Sequence, residues 1–277
     1  MNSKQSIAQV ITDNIIKALE SGVAPWVKPW HSNGVDAPYN PVAKRYYNGI
    51  NFIQLSMMPA STNYWCTYKQ AQSVGAQVRK GSVGVPVVYF SPLEVTDKVT
   101  GDAIKIPMLK TYTVFNADQV DGLELPVISA ERSEVDQIEA CEEFIAQQNA
   151  LIKFGGNRAF YTRDSDYIQV PDRAQFKSSE DYYATLLHEI THWTGHASRL
   201  NREFGKRFGD QAYAFEELVA ELGSAMLCAH LKIDGQLQHA SYIDNWLQVL
   251  KSDSKNILKA GALAQKVLDF TIKSEGA

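Results

Sequence analysis

His188-Glu189-Ile190-Thr191-His192 is the stretch whose reading decides the fold of this chain's C-terminal half. It lies within an apolar run, Tyr182-Tyr183-Ala184-Thr185-Leu186-Leu187, that continues through Ile190 and Trp193. Read as a helix, about 100° per residue sets His188 and His192 roughly 40° apart, one turn above each other on one face. Two imidazoles stacked in this way can grip one Zn²⁺ at about 2.0–2.1 Å each. Ser178 or Ser179 is placed to cap the helix.

Two helical histidines leave a tetrahedral zinc short of one protein ligand and a water. Glu189 follows the first histidine, where a zinc peptidase keeps the carboxylate that takes a proton from the metal's water. The third ligand must come from elsewhere in the fold. Gly195 resembles the glycine of the metzincin pattern, but that pattern's third histidine would fall on Ser198, and so it fails. His196 is one turn beyond His192, but the glycine before it ends the helix.

The next long helix, roughly Ala212 to Leu231, carries Glu216-Glu217-Leu218-Val219-Ala220-Glu221-Leu222. Glu217 and Glu221 are four residues apart on one face, as in the E-x-x-x-D/E pattern of gluzincins. That resemblance favours Glu217 over Glu221 as the ligand. It leaves Glu221 to accept the N–H of a ligating histidine and fix its tautomer. Glu216, about 100° around the helix, is expected in solvent. On this reading one zinc per chain, or another divalent metal, makes the C-terminal half a hydrolytic centre with Glu189 as general base.

The bulk composition sets the frame. A chain of 277 residues, 45% hydrophobic and 21% charged, has the apolar mass for two ordinary globular domains. No apolar run is long enough for a membrane span, and the first residues do not read as a signal peptide. Cys66, Cys141 and Cys228 are scattered, without metal-ligand spacing, which fits a reducing, cytoplasmic compartment.

Charge divides unevenly along the chain. Residues 1–125 carry 11 Lys and Arg against 9 Asp and Glu, net +2; residues 126–277 carry 16 against 22, net −6. From Ala37 to Leu93 there is no acidic residue. That segment interleaves five cations with tyrosines, tryptophan and phenylalanine, the ingredients of a surface on which bases stack and phosphates are neutralised. An aromatic core is the competing reading. A single strand is preferred to a duplex, because no helix has a basic recognition face. The candidate contacts are Trp26, Trp30, Lys44, Arg45, Tyr46, Tyr47, Trp65, Lys69, Arg79 and Lys80.

In chain order, Lys4 to Glu20 reads as an amphipathic helix and Pro25 to Trp30 as a proline-punctuated loop. Thr67 to Gln70 is a capping box opening a short helix that Gly75 closes. Gln77–Lys80, Val85–Phe90 and Leu109–Phe115 look like strands, the last two pairing antiparallel across a polar turn at Asp97–Asp102. Asp121 to Ser133 resembles a linker, followed by a helix to about Asn149 and a hairpin of Arg158–Tyr161 with Tyr167–Val170. Beyond the metal motif come a basic loop, Ser198 to Asp210, and helices near Ser241–Leu250 and Lys255–Ile272. The expectation is α+β in two domains: a small sheet domain at 1–125 and a mainly helical, zincin-like one at 126–277.

Two further runs carry a family likeness. Pro25-Trp26, Tyr47-Asn48-Gly49-Ile50-Asn51, Trp65 to Ala71, Val78-Arg79-Lys80-Gly81 and Val87 to Phe90 resemble the ArdC-type antirestriction proteins and the module that opens certain plasmid primases. Tyr183 to Glu189, Gly195-His196, Ser198-Arg199-Leu200 and Glu216 to Gly223 are similar to that family's metallopeptidase-like domain. The resemblance implies a single-stranded-DNA-binding domain joined to a zincin domain, on conjugative plasmids or phages. It implies protection of entering DNA from host restriction, with a protein target, of the restriction system or otherwise, for the peptidase. A metal kept only for folding is the alternative that the resemblance leaves open.

Overall fold

The structure, a computed structural model, describes residues 6–21, 37–58, 60–96, 103–126, 134–204, 210–233 and 243–273. For 90–96, 103–107 and 134–137 it describes the backbone alone. The expected loop at Pro25–Trp30, the turn at Asp97–Asp102, most of the expected linker and part of the basic loop lie outside the described residues.

Helix α1 (Ile7–Glu20) starts where Ser6 accepts the backbone N–H of Gln9, and it buries Ile11, Ile15 and Leu19 at helical spacing. Two short strands, β1 (Tyr39–Asn40) and β2 (Arg45–Tyr46), pair antiparallel before α2 (Ile50–Ser56). Strand β3 (Trp65–Thr67) leads into α3 (Tyr68–Ser73), opened by the reciprocal Thr67–Gln70 box that the sequence predicts. Strand β4 (Gln77–Val78) later pairs with β7 (Val120–Asp121).

Between them run β5 (Val85–Thr96) and β6 (Ala103–Asn116), an antiparallel ribbon longer at its outer end than the apolar patterning shows. Pro92 sits opposite Pro107 in the ladder, and strand pairing continues past both. β3 adds to β6 only at its end, Thr67 facing Val114, so the sheet order is β3-β6-β5.

The second half begins with α4 (Glu134–Gln147) and a three-stranded sheet. β9 (Phe160–Thr162) and β10 (Tyr167–Val170) form the expected hairpin, and β8 (Leu151–Phe154) pairs parallel to β10 on its other edge. Then come α5 (Ser179–Thr194), α6 (Gln211–Leu231), α7 (Ile243–Ser252) and α8 (Asn256–Lys273). Ser178 caps α5 and Asp210 caps α6. The chain is thus α+β, a sheet-containing N-terminal region followed by a mainly helical C-terminal one.

One core joins the two regions. Ile11, Ile15 and Leu19 of α1 and Ile50 and Ile53 of α2 pack with Leu218, Val219 and Leu222 of α6 and with Trp246, Ile257 and Ala264. The other flank of α6, through Leu227 and Leu231, closes a second core with Phe144, Ile168, Leu187 and Ile190. At Gly49 (φ +56°) the chain meets α8 backbone to backbone. A Cβ on Gly261 would stand 3.0 Å from the Ile50 nitrogen, and Gly49 N–H donates to Gln265 Oε1 at 2.9 Å. Helix α6 is therefore apolar nearly all round and lies between two cores, and this makes its carboxylates notable.

Candidate metal centre

Helix α5 holds His188 and His192 one turn apart, ring centres 4.8 Å from each other and planes at 81°. From α6, Glu217 reaches between them: Oε2 lies 3.7 Å from His188 Nε2 and Oε1 3.5 Å from His192 Nε2. Ligand atoms of all three lie within 4.8 Å of one another. Donors on a tetrahedral zinc with arms of about 2.1 Å would stand roughly 3.4 Å apart. The two measured separations to Glu217 are close to that, so the donor set fits a small dication.

A carboxylate stands behind each ring. Glu221 Oε1 is 3.7 Å from His188 Nδ1, and Glu216 Oε1 is 3.3 Å from His192 Nδ1. Each imidazole thus turns Nε2 to the shared point and Nδ1 towards a carboxylate; the contact is a hydrogen bond at His192, where it sets the tautomer of the ring, and an ion-pair distance at His188. The placement of Glu216 corrects the expectation that it is solvated: it is 3% exposed. The turn of about 100° that separates it from Glu217 leads into protein, because a second element covers that side of α6.

That covering element is Arg202, itself buried. Its Nε donates to Glu216 Oε2 at 3.0 Å and its Nη2 to Oε1 at 2.8 Å. The remaining donors go to Thr194 Oγ1 at 2.8 Å and to the Thr191 carbonyl at 2.6 Å, both on α5. The relay therefore runs from α5 through Arg202 and Glu216 back to His192. In sequence, Arg202 is one of several cations in a polar loop, and nothing local marks it as buried. The only available signal is the excess of acidic residues in the apolar register of α6, which needs a partner.

Burial works against a charge on His192. It is outweighed by the hydrogen bond that His192 donates to Glu216 and by the charges of Glu217, Glu216 and Glu189, which raise its pKa from 6.5 to about 9. Burial likewise pushes the Glu216 carboxyl up, but the hydrogen bonds from His192 and Arg202 prevail and hold it below the usual range. Around this point Glu189, Glu216, Glu217 and Glu221 are all buried, against the guanidinium of Arg202. Such an excess of buried negative charge favours a bound cation.

Close packing fixes the two helices. A Cβ on Gly223 would fall 2.6 Å from Thr191 Cγ2. Gly195 ends α5, and a Cβ there would meet Phe204 at 2.6 Å and Arg202 Nη2 at 2.9 Å. The loop then folds back, Arg202 N–H donating to the Gly195 carbonyl at 3.0 Å. Arg199 anchors it by donating to Asp166 and to the Trp193 carbonyl at 2.7 Å while lying 4.0 Å over the Trp193 ring. His196 leaves the helix and bonds Ser198 at 2.8 Å, away from the metal donors. Cys66, Cys141 and Cys228 are buried and are not joined in disulfides.

In the N-terminal region the candidate contacts separate. Lys44, Arg45, Tyr46, Lys69, Arg79 and Lys80 are exposed and Tyr47 is half-buried. Arg45, Tyr47 and Lys69 line one cavity of about 600 Å³. Arg79 is paired with Asp121 at 2.9 Å. Trp65 is corrected: at 3% exposure its ring packs with Leu55, Val87 and Val114 and offers no face to a base. Trp26 and Trp30 lie outside the described residues.

Comparison with known proteins places these features. Residues 5–115 match the family described as the N-terminal domain of anti-restriction factor ArdC, and residues 139–263 match the zincin-like metallopeptidase family. The crystal structure of the antirestriction ArdC protein from plasmid R388, metal-free, superposes with a TM-score of 0.82. It is 41% identical, over 98% of each chain. The chain belongs to the ArdC family. The Mn(II)-bound structure of R388 ArdC superposes with a TM-score of 0.80 at 40% identity, again over 98% of both chains.

Curated relatives extend the ArdC likeness. Two proteins named DNA primase TraC, from Escherichia coli, are each 39% identical over 98% and 99% of this chain. The chain spans only 27% and 20% of their lengths. Protein y4eC of Sinorhizobium fredii is 37% identical over 95% of this chain and 91% of its own. No helix among the described residues is long and apolar enough to cross a membrane.

Proposed function

We propose that this ArdC-family chain binds single-stranded DNA through residues 1–125 and holds one divalent metal, zinc or manganese, in residues 126–277. His188, His192 and Glu217 are the ligands on this reading. Its role would be to shield plasmid or phage DNA from restriction in the recipient cytoplasm. The observation that carries the metal assignment is the convergence of those three donors within 4.8 Å, each histidine backed by its own carboxylate. Two imidazoles and a carboxylate suit either ion.

When bound, such an ion supplies a Lewis acid and a water acidified to a pKa of about 7. Glu189, buried beside His188, would accept the proton and return it to a leaving amine of a protein substrate. Glu216 and Glu221 would hold the rings, and Arg202 would hold Glu216. A metal serving only as a structural staple is the alternative reading, and it gives the buried Glu189 no role.

The test is a restriction-protection assay of transferred DNA, comparing wild type with Glu189→Gln and with an Arg45→Ala/Lys69→Ala pair. Both variants should lose protection. Full protection by Glu189→Gln would remove hydrolysis from the account and leave strand shielding alone. Oligonucleotide binding by the wild type should weaken steeply between about 50 and 200 mM salt.

A further inference from the structure

The cavity lined by Arg45, Tyr47 and Lys69 has a chemistry more specific than a basic surface. Its volume of about 600 Å³ falls within the roughly 300–1,000 Å³ of sites that enclose one small ligand, room for a nucleotide but not for a run of them. The lining contains two cations, Arg45 and Lys69, and no carboxylate. An anion is therefore welcome and a cation is not.

Three tyrosines at its edge keep large rings in solvent: Tyr68, Tyr89 and Tyr112, exposed by 41%, 51% and 48%. In the β5–β6 ladder Tyr112 faces Val87 and Tyr89 faces Lys110, which makes the two tyrosines diagonal neighbours on one face of the ribbon. That face passes from the buried Val87 and Val114 out to the exposed rings. Tyr68 enters from the first turn of α3, and its hydroxyl accepts from the Gln72 and Gln77 amides at 3.4 and 3.3 Å.

The floor is held rigid by hydrogen bonds within the protein. Tyr47 donates its hydroxyl to the Trp65 carbonyl at 3.1 Å and accepts from Asn40 at 3.1 Å. The Asn51 amide closes on both backbone groups of Val88 at 2.7 and 2.8 Å. The side-chain amide of Asn48 and the Nε2 of Gln70, by contrast, make no hydrogen bond to another described residue, and both residues line the cavity. Aromatic faces, unspent amide groups and a purely cationic rim together select a planar ring that carries hydrogen-bonding edges and a phosphate.

We propose that this cavity takes one unpaired base of a DNA single strand, stacked among Tyr68, Tyr89 and Tyr112, with the flanking phosphates on Arg45 and Lys69. The proposal rests on the strand-binding reading above and narrows it to a single-base pocket. Strand rather than free nucleotide follows from the charge continuing outside the cavity on exposed Lys44, next to Arg45, in a segment without any acidic residue from Ala37 to Leu93. One captured base would fix the strand's position, while the other bases contribute through their phosphates.

The experiment is fluorescence anisotropy with the full chain and two dye-labelled strands of equal length, oligothymidylate and its abasic counterpart, which carry the same phosphate charge. Wild type should prefer the base-bearing strand by at least about fivefold, the smallest effect of one base–aromatic stack. Tyr112→Ala and Tyr89→Ala should lose that preference while keeping the salt slope, and Tyr112→Phe should retain it. Equal affinity of the wild type for the two strands would overturn the pocket, as would undiminished preference in both alanine variants. Competition by thymidine monophosphate at concentrations near those of the strand would overturn the choice of a strand as ligand. Absence of salt-sensitive binding to either strand would instead fell the underlying DNA-binding reading.

Discussion

Arg202 and Glu216 form a buried two-point ion pair, Nε to Oε2 at 3.0 Å and Nη2 to Oε1 at 2.8 Å, directly behind His192. The pair joins the loop after α5 to the first turns of α6, and so ties the two metal-bearing helices through side chains. Removing one partner leaves the other charged and dehydrated. Arg202→Met is expected to destabilise the fold by about 3–5 kcal/mol, and Arg202→Met/Glu216→Leu to recover much of that loss. Denaturant titration of these two variants and of Glu216→Leu alone checks it; losses that simply add would mean that the pair is not coupled.

The helix crossing at Gly223 predicts a steric pair. Gly223→Ala places a methyl 2.6 Å from Thr191 Cγ2, an overpacking that costs about 1–3 kcal/mol. Thr191→Ser removes that methyl and keeps the hydroxyl bonded to the Leu187 carbonyl, at 2.9 Å in the wild type. The double variant should therefore melt closer to wild type than Gly223→Ala does. Thermal unfolding of the three proteins decides the matter.

Acid should weaken the loop anchor at Asp166. The hydrogen bond from Arg199 outweighs partial burial and holds the Asp166 carboxyl below its ordinary 3.8. A depressed pKa stabilises above the unfolded-state value, and the contribution is lost as pH falls through the folded one. Wild type should therefore lose stability more steeply than Asp166→Asn below about pH 4. Identical acid limbs for the two proteins would show that the pair contributes nothing.

Metal should stabilise the fold by mass action. The four buried carboxylates near His188 and His192 repel one another, and a dication bound only to the native state relieves this. At a free ion concentration about a hundred times Kd the gain is about 2.7 kcal/mol. Melting should shift upward with added Zn²⁺ or Mn²⁺ and return after chelation, and His188→Ala should not respond.

Much of this architecture was legible in the chain. The H-E-x-x-H helix, its serine cap, the Thr67–Gln70 box and the facing strands β5 and β6 follow from local patterns of three to eight residues. What escaped depends on long-range burial. Glu216 reads as solvated because amphipathic reasoning gives a helix one buried face, whereas α6 is covered by two cores. Arg202 reads as one more loop cation, because its partners on α5 and α6 come together only in the fold.

Strand β8 escaped for a similar reason. Its pairing with β10 is parallel and passes around β9, and only one of its four residues is even half-buried, so it carries no alternation to read. Trp65 reads as a stacking platform because it is an aromatic among cations, whereas the folded sheet closes over its ring. Tyr68 and Tyr89 read only as aromatics of the acid-free segment and Tyr112 only as a strand residue, because sequence alone does not tell which strand face is left open.

Metal content measured by elemental analysis on purified wild type, His188→Ala, Glu217→Ala and Glu189→Gln tests the central claim most directly. About one divalent ion per chain is expected in wild type and Glu189→Gln, and almost none in the other two. Unchanged metal in His188→Ala and Glu217→Ala, or its loss in Glu189→Gln, would contradict the assignment of ligands and base.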